Sequence, residues 1–146
     1  MFLVRFFKQR TLASILASKQ VQRGSAEYLS ARNEMRERLG RWINKPTKNV
    51  NGFTPLHYAS FHGDHKVIKY LVKNGANMQA LNPDGMGMMH LSAQGDQPYS
   101  LTYFKTYGLS IDAKDFQSST PLHWAFQSVS ILAIYYLLGW EPELDA

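Results

Sequence analysis

The apolar and polar positions of the chain recur with a fixed spacing of 33 residues. Three ladders share this period, with one member in each repeat: Leu71, Phe104 and Leu137; Ala80, Ala113 and Ala146; and His57, His90 and His123. A period of this length is typical of stacked structural repeats. The pattern predicts an all-α solenoid of about three helix-turn-helix repeats with short hairpin loops, covering residues 49–81, 82–114 and 115–146.

Local signals in the first repeat predict a pair of short helices. Pro55 stands where a missing N–H is tolerated at a helix start, and an inner helix follows from Leu56 to His62. Gly63 suits the left-handed conformation that ends a helix. A second, outer helix is predicted from about His65 to Lys73.

The later repeats depart from the first. Gly87 replaces the threonine of the other repeats, so we expect a looser turn there. Val129 occupies the phase of Gly63, where a left-handed backbone is strained for a β-branched residue, so we expect the third turn to be built differently or to be distorted. The segment from Ile131 to Trp140 is apolar on nearly every side, as buried helices are. We predict that a partner protein covers it through Ile131, Ile134, Tyr135, Leu138 and Trp140; the alternative is that residues 141–146 fold back over it.

Residues 26–46 precede the repeats and predict a capping helix that covers the first of them. Ser25 is the expected N-cap, and Glu34 and Arg38 are spaced for an ion pair on one helix face. Pro46 disfavours helix at the preceding residue and closes the segment.

Positive charge is concentrated in the first 50 residues, which carry four Lys and seven Arg against three Glu, whereas residues 51–146 carry five Lys against eight acids. Residues 1–25 are basic, amphipathic and acid-free, which predicts either a mitochondrial presequence or an arm that lies on a membrane surface or an acidic partner. An Arg-rich segment also suits nucleic acid. The basic residues concerned are Arg5, Lys8, Arg10, Lys19, Arg23, Arg32, Arg36, Arg38 and Arg41.

The sequence offers little for catalysis, and we predict neither a metal nor a cofactor. It contains no cysteine, which excludes disulfides, thiolate zinc sites and a cysteine nucleophile within this chain. No apolar run approaches the roughly 20 residues that span a bilayer. His62 and His65 are three residues apart, but no third ligand is spaced with them for a metal. The chain is predicted not to be an enzyme.

The strings TPLH at 54–57 and 120–123, with Gly-Ala-Asn at 75–77, resemble the ankyrin repeat family. Residues 51–146 are similar, more narrowly, to the ankyrin arrays that precede the DHHC domain in protein S-acyltransferases of some single-celled eukaryotes. AQGDQPYSLTYF and STPLHWA are the most specific strings. The DHHC domain itself requires cysteines, which this chain lacks.

The resemblance implies a protein-binding surface made of hairpin tips and inner helices. The tip positions are Val50, Asn51, Phe53, Pro83, Asp84, Met86, Phe116, Gln117 and Ser119, and the inner-helix positions are Phe61, His62, Gln94, Gln127 and Ser128. Aromatic residues favour binding hot spots. The alternative for Phe53 and Phe61 is that they pack against the segment at Trp42.

Three functions fit these features. The first is a non-catalytic accessory subunit of a larger, mitochondrial assembly, bound to other protein subunits. The second is a truncated ankyrin module that recruits protein substrates to an S-acyltransferase on another chain, which places it in the cytoplasm or on a membrane surface. The third is an RNA-associated subunit that uses the Arg-rich N-terminus.

Overall fold

The structure, a computed structural model, describes residues 24–139 without a break, together with Gln9, Ala13 and Ser14. Between residues 24 and 139 the chain is all α-helical, as predicted, with seven helices. They are α1 (Ala26–Ile43), α2 (Pro55–His62), α3 (His65–Lys73), α4 (Met88–Gln94), α5 (Pro98–Thr106), α6 (Pro121–Gln127) and α7 (Ile131–Gly139). After α1 the helices form three successive pairs, and the inner helices α2, α4 and α6 pack most extensively on one another.

The inner helices begin in the same way because each carries a histidine in its first turn. The backbone N–H at the N-cap donates to Nδ1 of the histidine three residues later: Thr54 to His57 at 3.0 Å, Gly87 to His90 at 3.2 Å and Thr120 to His123 at 3.1 Å. The bond occupies one of the backbone N–H groups that a helix start leaves without a partner. The repeated histidine therefore has a structural role.

The middle repeat is the most enclosed part of the array, which contradicts the looser turn expected at Gly87. Residues 85–93 are all buried, and the Gly87 N–H keeps its bond to His90 without a threonine hydroxyl. The side chain of Leu81 lies over Gly87, since a Cβ placed there would be 3.2 Å from its Cδ2 atom. Leu81 of the first repeat thus covers the place of the missing side chain, and His90 also bonds the Ser119 carbonyl of the third repeat.

Helix α1 lies against the first repeat with one apolar face. Ser25 caps it as predicted by accepting a hydrogen bond from the Tyr28 N–H at 3.2 Å. At the other end, Asn44 donates to the carbonyl of Gly75 at 2.9 Å and accepts from the N–H of Asn77 at 2.7 Å. The buried residues of α1 are Ala31, Met35, Leu39 and Ile43. Their helical spacing and the Asn44 bonds fix the helix to the array.

Two of the side-chain hydrogen bonds between the second and third repeats lie at the start of α7. Asp96 accepts a hydrogen bond from the N–H of Ala133, in the first turn of α7, at 2.8 Å, and Ser130 donates to the carbonyl of Gln94 at 3.0 Å. Asp96 thus satisfies a backbone donor at the start of α7.

Each helix pair turns through one residue with positive φ at the same phase of the period. These residues are Gly63 (φ 70°), Asp96 (φ 57°) and Val129 (φ 56°). The sequence led us to expect that, without glycine, the third turn would be built differently or distorted. The left-handed backbone is kept instead, and Val129 accepts the strain because stacking on the second repeat imposes the turn.

Replacing Val129 with glycine is expected to stabilise the protein by about 1 kcal/mol, since a β-branched residue is costly in the left-handed region. The side chain is mostly exposed, so little apolar burial is lost. Urea denaturation measures the change. The matched control is Val129→Ala, which keeps a Cβ and should gain less; equal stability of the glycine variant and the parent would contradict the strain.

Candidate protein-binding surface

A cavity of about 410 Å³ opens between hairpin tips and inner helices, and we call it the aromatic groove. Four of its residues carry large aromatic rings: Phe53, Tyr58, Phe61 and Trp124. The others are Asn51, His62, Asn82, Asp84, Met86 and Gln94. The groove therefore combines π surface, amides and one carboxylate.

Half of the predicted tip and inner-helix positions come together in this groove: Asn51, Phe53, Phe61, His62, Asp84, Met86 and Gln94. The remaining positions lie outside its lining: Val50, Pro83, Phe116, Gln117, Gln127 and Ser128, which are exposed, and Ser119, which is half-buried. Tyr58, Asn82 and Trp124 were missed. Tyr58 lies three residues before Phe61, so helical spacing alone places the two on neighbouring positions of one face.

The rings that line the groove are held by their neighbours. Phe53 stacks on His57 with ring centroids 5.5 Å apart and meets the edge of Tyr58 at 5.4 Å. The indole N–H of Trp124 donates to the Asp115 carboxylate at 2.9 Å. These contacts fix the aromatic side chains before any ligand arrives, which reduces the entropy lost on binding.

The second and third hairpin tips are shaped by one polar side chain each, at equivalent positions. Asn82 accepts from the N–H groups of Asp84 (3.0 Å) and Met86 (2.8 Å). Asp115 accepts in the same way, from Gln117 at 2.9 Å and Ser119 at 2.8 Å. Side chains that bond backbone two residues on create such turns.

The hydrogen bonds that Asp115 accepts also determine the ionisation of its carboxyl group. Burial raises the pKa of Asp115, but hydrogen bonds from Trp124, Ser119 and Gln117 and the nearby His90 lower it by more, so the pKa lies below its ordinary value. The carboxylate that orients Trp124 is therefore ionised at neutral pH.

The groove's geometry, the helix pairs and their period all point to one repeat family. The ankyrin repeat family model matches residues 51–83. Residues 51–83 form an ankyrin repeat. The predicted resemblance and the predicted ankyrin solenoid are confirmed, and the array is a protein–protein interaction module, as ankyrin repeats are.

This chain is similar to several proteins over parts of their length. Palmitoyltransferase AKR1 of Lachancea kluyveri is 28% identical over 97 residues, which are 64% of this chain and 13% of that protein. A probable serine/threonine-protein kinase of Dictyostelium discoideum is 29% identical over 100 residues, 62% of this chain and 12% of the kinase. The Notch-regulated ankyrin repeat-containing protein of Homo sapiens is 35% identical over 63 residues, 40% of this chain and 55% of that protein.

Two ankyrin histidines are buried within the stack. Burial lowers the pKa of His57, although the carbonyls of Met86 and Ala80 oppose the shift. Burial lowers the pKa of His90 too, against a hydrogen bond to the Ser119 carbonyl, which lies 3.2 Å from Nε2. The folded ankyrin array therefore prefers both imidazoles neutral.

The ankyrin array is consequently expected to lose stability as the pH falls below about 6.5, the ordinary histidine pKa in an unfolded chain. Below that pH the unfolded chain binds protons at His57 and His90 more readily than the folded chain does. The contribution of these two histidines to the free energy of unfolding is therefore fully present only above that pH. Urea denaturation at pH 7.5, 6.5 and 5.5 measures the effect. His57→Asn with His90→Asn should weaken the dependence, and equal unfolding free energies at pH 7.5 and 5.5 would contradict it.

The outer face of α7 forms a second surface at the end of the ankyrin array, which we call the end face. Ile131, Leu132, Tyr135 and Leu138 are exposed there, whereas Ala133 and Leu137 are buried in the core. Ile134, predicted for this surface, is half-buried and packs against the core, and Leu132 was missed. Trp140 lies outside the described residues.

The basic residues named in the sequence analysis differ in their surroundings. Arg32 and Arg36 line a cavity of about 460 Å³ with Lys73, at the junction of α1 and α3. Arg38 forms the predicted ion pair with Glu34, at 2.9 Å, and Arg41 is exposed. Arg5, Lys8, Arg10, Lys19 and Arg23 lie outside the described residues.

The described residues contain neither a cluster of metal ligands nor a membrane-spanning helix. No group of three or more histidine, aspartate or glutamate side chains lies close enough there to hold a metal ion. His65, one of the two histidines weighed for a metal, meets the ring of Tyr99 edge-on at 5.4 Å. Within the same residues no helix combines the length and apolar character needed to cross a membrane.

Proposed function

We propose that the chain is a non-catalytic accessory subunit that docks into a larger assembly through the end face of α7. One observation carries the proposal: Leu132 and Tyr135, on a helix with no charged residue, are 58% and 73% exposed. Contiguous apolar side chains on a surface are typical of protein interfaces. A repeat array also requires a cover at each end, because each unit buries its apolar face against a neighbour.

The neighbouring repeat supports the same conclusion. Ile68 of α3, Leu101 of α5 and Ile134 of α7 occupy the same position of the 33-residue period. Ile68 and Leu101 are fully buried, whereas Ile134 is half-buried. The side chains that stacking buries in the first two outer helices are thus only partly covered in the third. A protein partner on the end face would complete the stack.

Co-purification of the tagged full chain tests this docking surface. The variant Leu132→Asp with Tyr135→Asp should lose a partner that the parent binds in stoichiometric amount, since both side chains are exposed and contribute little to the fold. The matched control is Leu29→Asp, also an exposed leucine on a helix. Identical partners for both variants would overturn the proposal. So would a monomeric parent whose α7 amides are as protected from exchange as those of α5, because residues of this chain would then cover α7.

We further propose that the assembly is mitochondrial. The support is the composition of residues 1–25, which carry five cations and no acid, interleaved with apolar side chains. A fluorescent fusion of the full chain is expected to enter mitochondria, and changing Arg5, Lys8 and Arg10 to Gln should prevent it. A fusion that stays in the cytosol or on Golgi membranes would exclude this location.

A second function is favoured by the similarity to a palmitoyltransferase over 64% of the chain. On this alternative the ankyrin module recruits protein substrates to an S-acyltransferase on another chain. Fractionation separates the two proposals, because the acyltransferase reading requires the chain on the membranes that hold such an enzyme. Loss of S-acylation of particular proteins in cells lacking the chain, with normal mitochondrial assemblies, would replace the first proposal by this one.

A further inference from the structure

We propose that the aromatic groove binds an arginine side chain presented by an extended segment of a partner protein. The proposal rests on the proposed function, since it takes the chain to be a protein-binding subunit, and it concerns a surface separate from the end face. Its basis is the chemistry of the groove lining: four aromatic rings beside one carboxylate, Asp84, with no lysine or arginine among the lining residues.

The rings favour a cation because an aromatic face carries negative electrostatic potential, which attracts guanidinium and ammonium groups. Trp124 is the strongest such ring, and its N–H already donates to Asp115. The part of Trp124 that a ligand can contact is therefore the face of its indole ring. Phe53, Tyr58 and Phe61 add further aromatic area to the same cavity.

The carboxylate sets the sign of the ligand charge. Asp84 is exposed at the second hairpin tip, and its Oδ2 atom lies 3.4 Å from the Nδ2 group of Asn82, which is a weak bond that leaves the carboxylate able to pair elsewhere. The tip itself is rigid, because the backbone N–H of Asp84 is held by Asn82.

Arginine fits this combination better than lysine. Its planar guanidinium stacks on aromatic faces and donates two parallel hydrogen bonds to a carboxylate, whereas an ammonium acts as a compact, strongly hydrated charge. The amides of Asn51 and Gln94 at the rim of the same cavity suit the backbone of an extended segment. A partner segment with one arginine therefore matches the groove in charge and in hydrogen-bonding groups.

The test uses the full chain, with N-acetyl-arginine methylamide as the probe and the citrulline and leucine methylamides as neutral controls. The Trp124 indole N–H resonance, assigned by its loss in Trp124→Phe, reports binding. We expect the arginine probe to bind about 3- to 10-fold more tightly than citrulline at low salt. Asp84→Asn should remove most of that preference without affecting the fold, because Asp84 is exposed. Phe126→Leu, which changes an exposed aromatic residue of α6 outside the groove lining, should bind as the parent does.

Two results would overturn the inference. Equal binding of leucine and arginine probes would show an apolar groove with no selection for charge. Binding seen only after Arg5, Lys8, Arg10, Lys19 and Arg23 are changed to Gln would show that the chain's own basic segment, and not a partner, occupies the groove. If the groove does not select arginine but the Leu132 and Tyr135 variant loses its partner, the proposed function still stands. If the groove selects arginine but the Leu132 and Tyr135 variant keeps its partners, the groove proposal stands and docking through the end face is excluded.

Discussion

Replacing Gly95 with alanine is expected to destabilise the protein by about 3 kcal/mol and lower its melting temperature by about 10 °C. A Cβ at this position would lie 2.0 Å from the carbonyl oxygen of Phe61 and 2.8 Å from its carbonyl carbon. Both are backbone atoms at the end of α2, so the clash cannot be relieved by rotating a side chain. The first two repeats would have to move apart, and the inner helices that form the core would lose contact.

The backbone angles of Gly95 are ordinary (φ −83°), so the effect isolates close approach from left-handed strain. Gly40→Ala is the matched control, because a Cβ there has no neighbour within 4 Å and alanine favours the interior of α1. The control should gain roughly 0.5–1 kcal/mol. Thermal and urea unfolding of the three proteins decide the question, and a Gly95→Ala variant as stable as the parent would refute the close approach.

Replacing His90 with alanine is expected to cost about 3 kcal/mol. The ring is 1% exposed and joins two repeats, since Nδ1 accepts from Gly87 in its own repeat and Nε2 bonds the Ser119 carbonyl of the next. Alanine removes both bonds, leaves the Gly87 N–H buried without a partner and opens a cavity in the most enclosed part of the array. Urea denaturation at pH 7.5, where the imidazole is neutral, gives the magnitude.

His123 supplies the comparison, because it makes the same bond to its N-cap residue but is exposed at the end of the array. His123→Ala should cost about 1 kcal/mol, the ordinary value of a helix cap. Similar losses for the two variants would mean that the bond between repeats contributes nothing, and the stability would then come from the cap alone.

The period of 33 residues predicted the helix pairs, and the four helices whose starts were predicted, α1, α2, α3 and α7, begin within one residue of the expected position. Such features are local: a proline at a helix start, a glycine in a left-handed turn and an apolar stripe act within a few residues. The strain at Val129 was predictable for the same reason. What stacking adds was less visible, since the sequence indicated a weakness at Gly87 that the flanking repeats remove.

The groove shows why the remaining part was missed. Tyr58, Leu91 and Trp124 share one phase of the period, so the pattern assigns them one environment, yet Tyr58 is 38% exposed and Leu91 is fully buried. Leu91 lies in the second repeat, which has a repeat on each side, whereas Tyr58 lies in the first repeat and Trp124 in the third. The bonds of Asp96 to Ala133 and of Ser130 to Gln94 were hidden for another reason. They join residues 37 and 36 positions apart, which sequence spacing alone does not bring together.

The two ends of the array differ, and the difference bears on how long the protein survives in a cell. Helix α1 covers the first repeat and is fixed there by Asn44, while α7 exposes apolar side chains at the other end. In a chain of nearest-neighbour units, the less covered end opens first. Proteases act on opened segments, so among the described helices α7 would be cleaved before α1. If a partner is seated on the end face, as we propose, it would close that entry, and the abundance of this chain would follow the abundance of its partner.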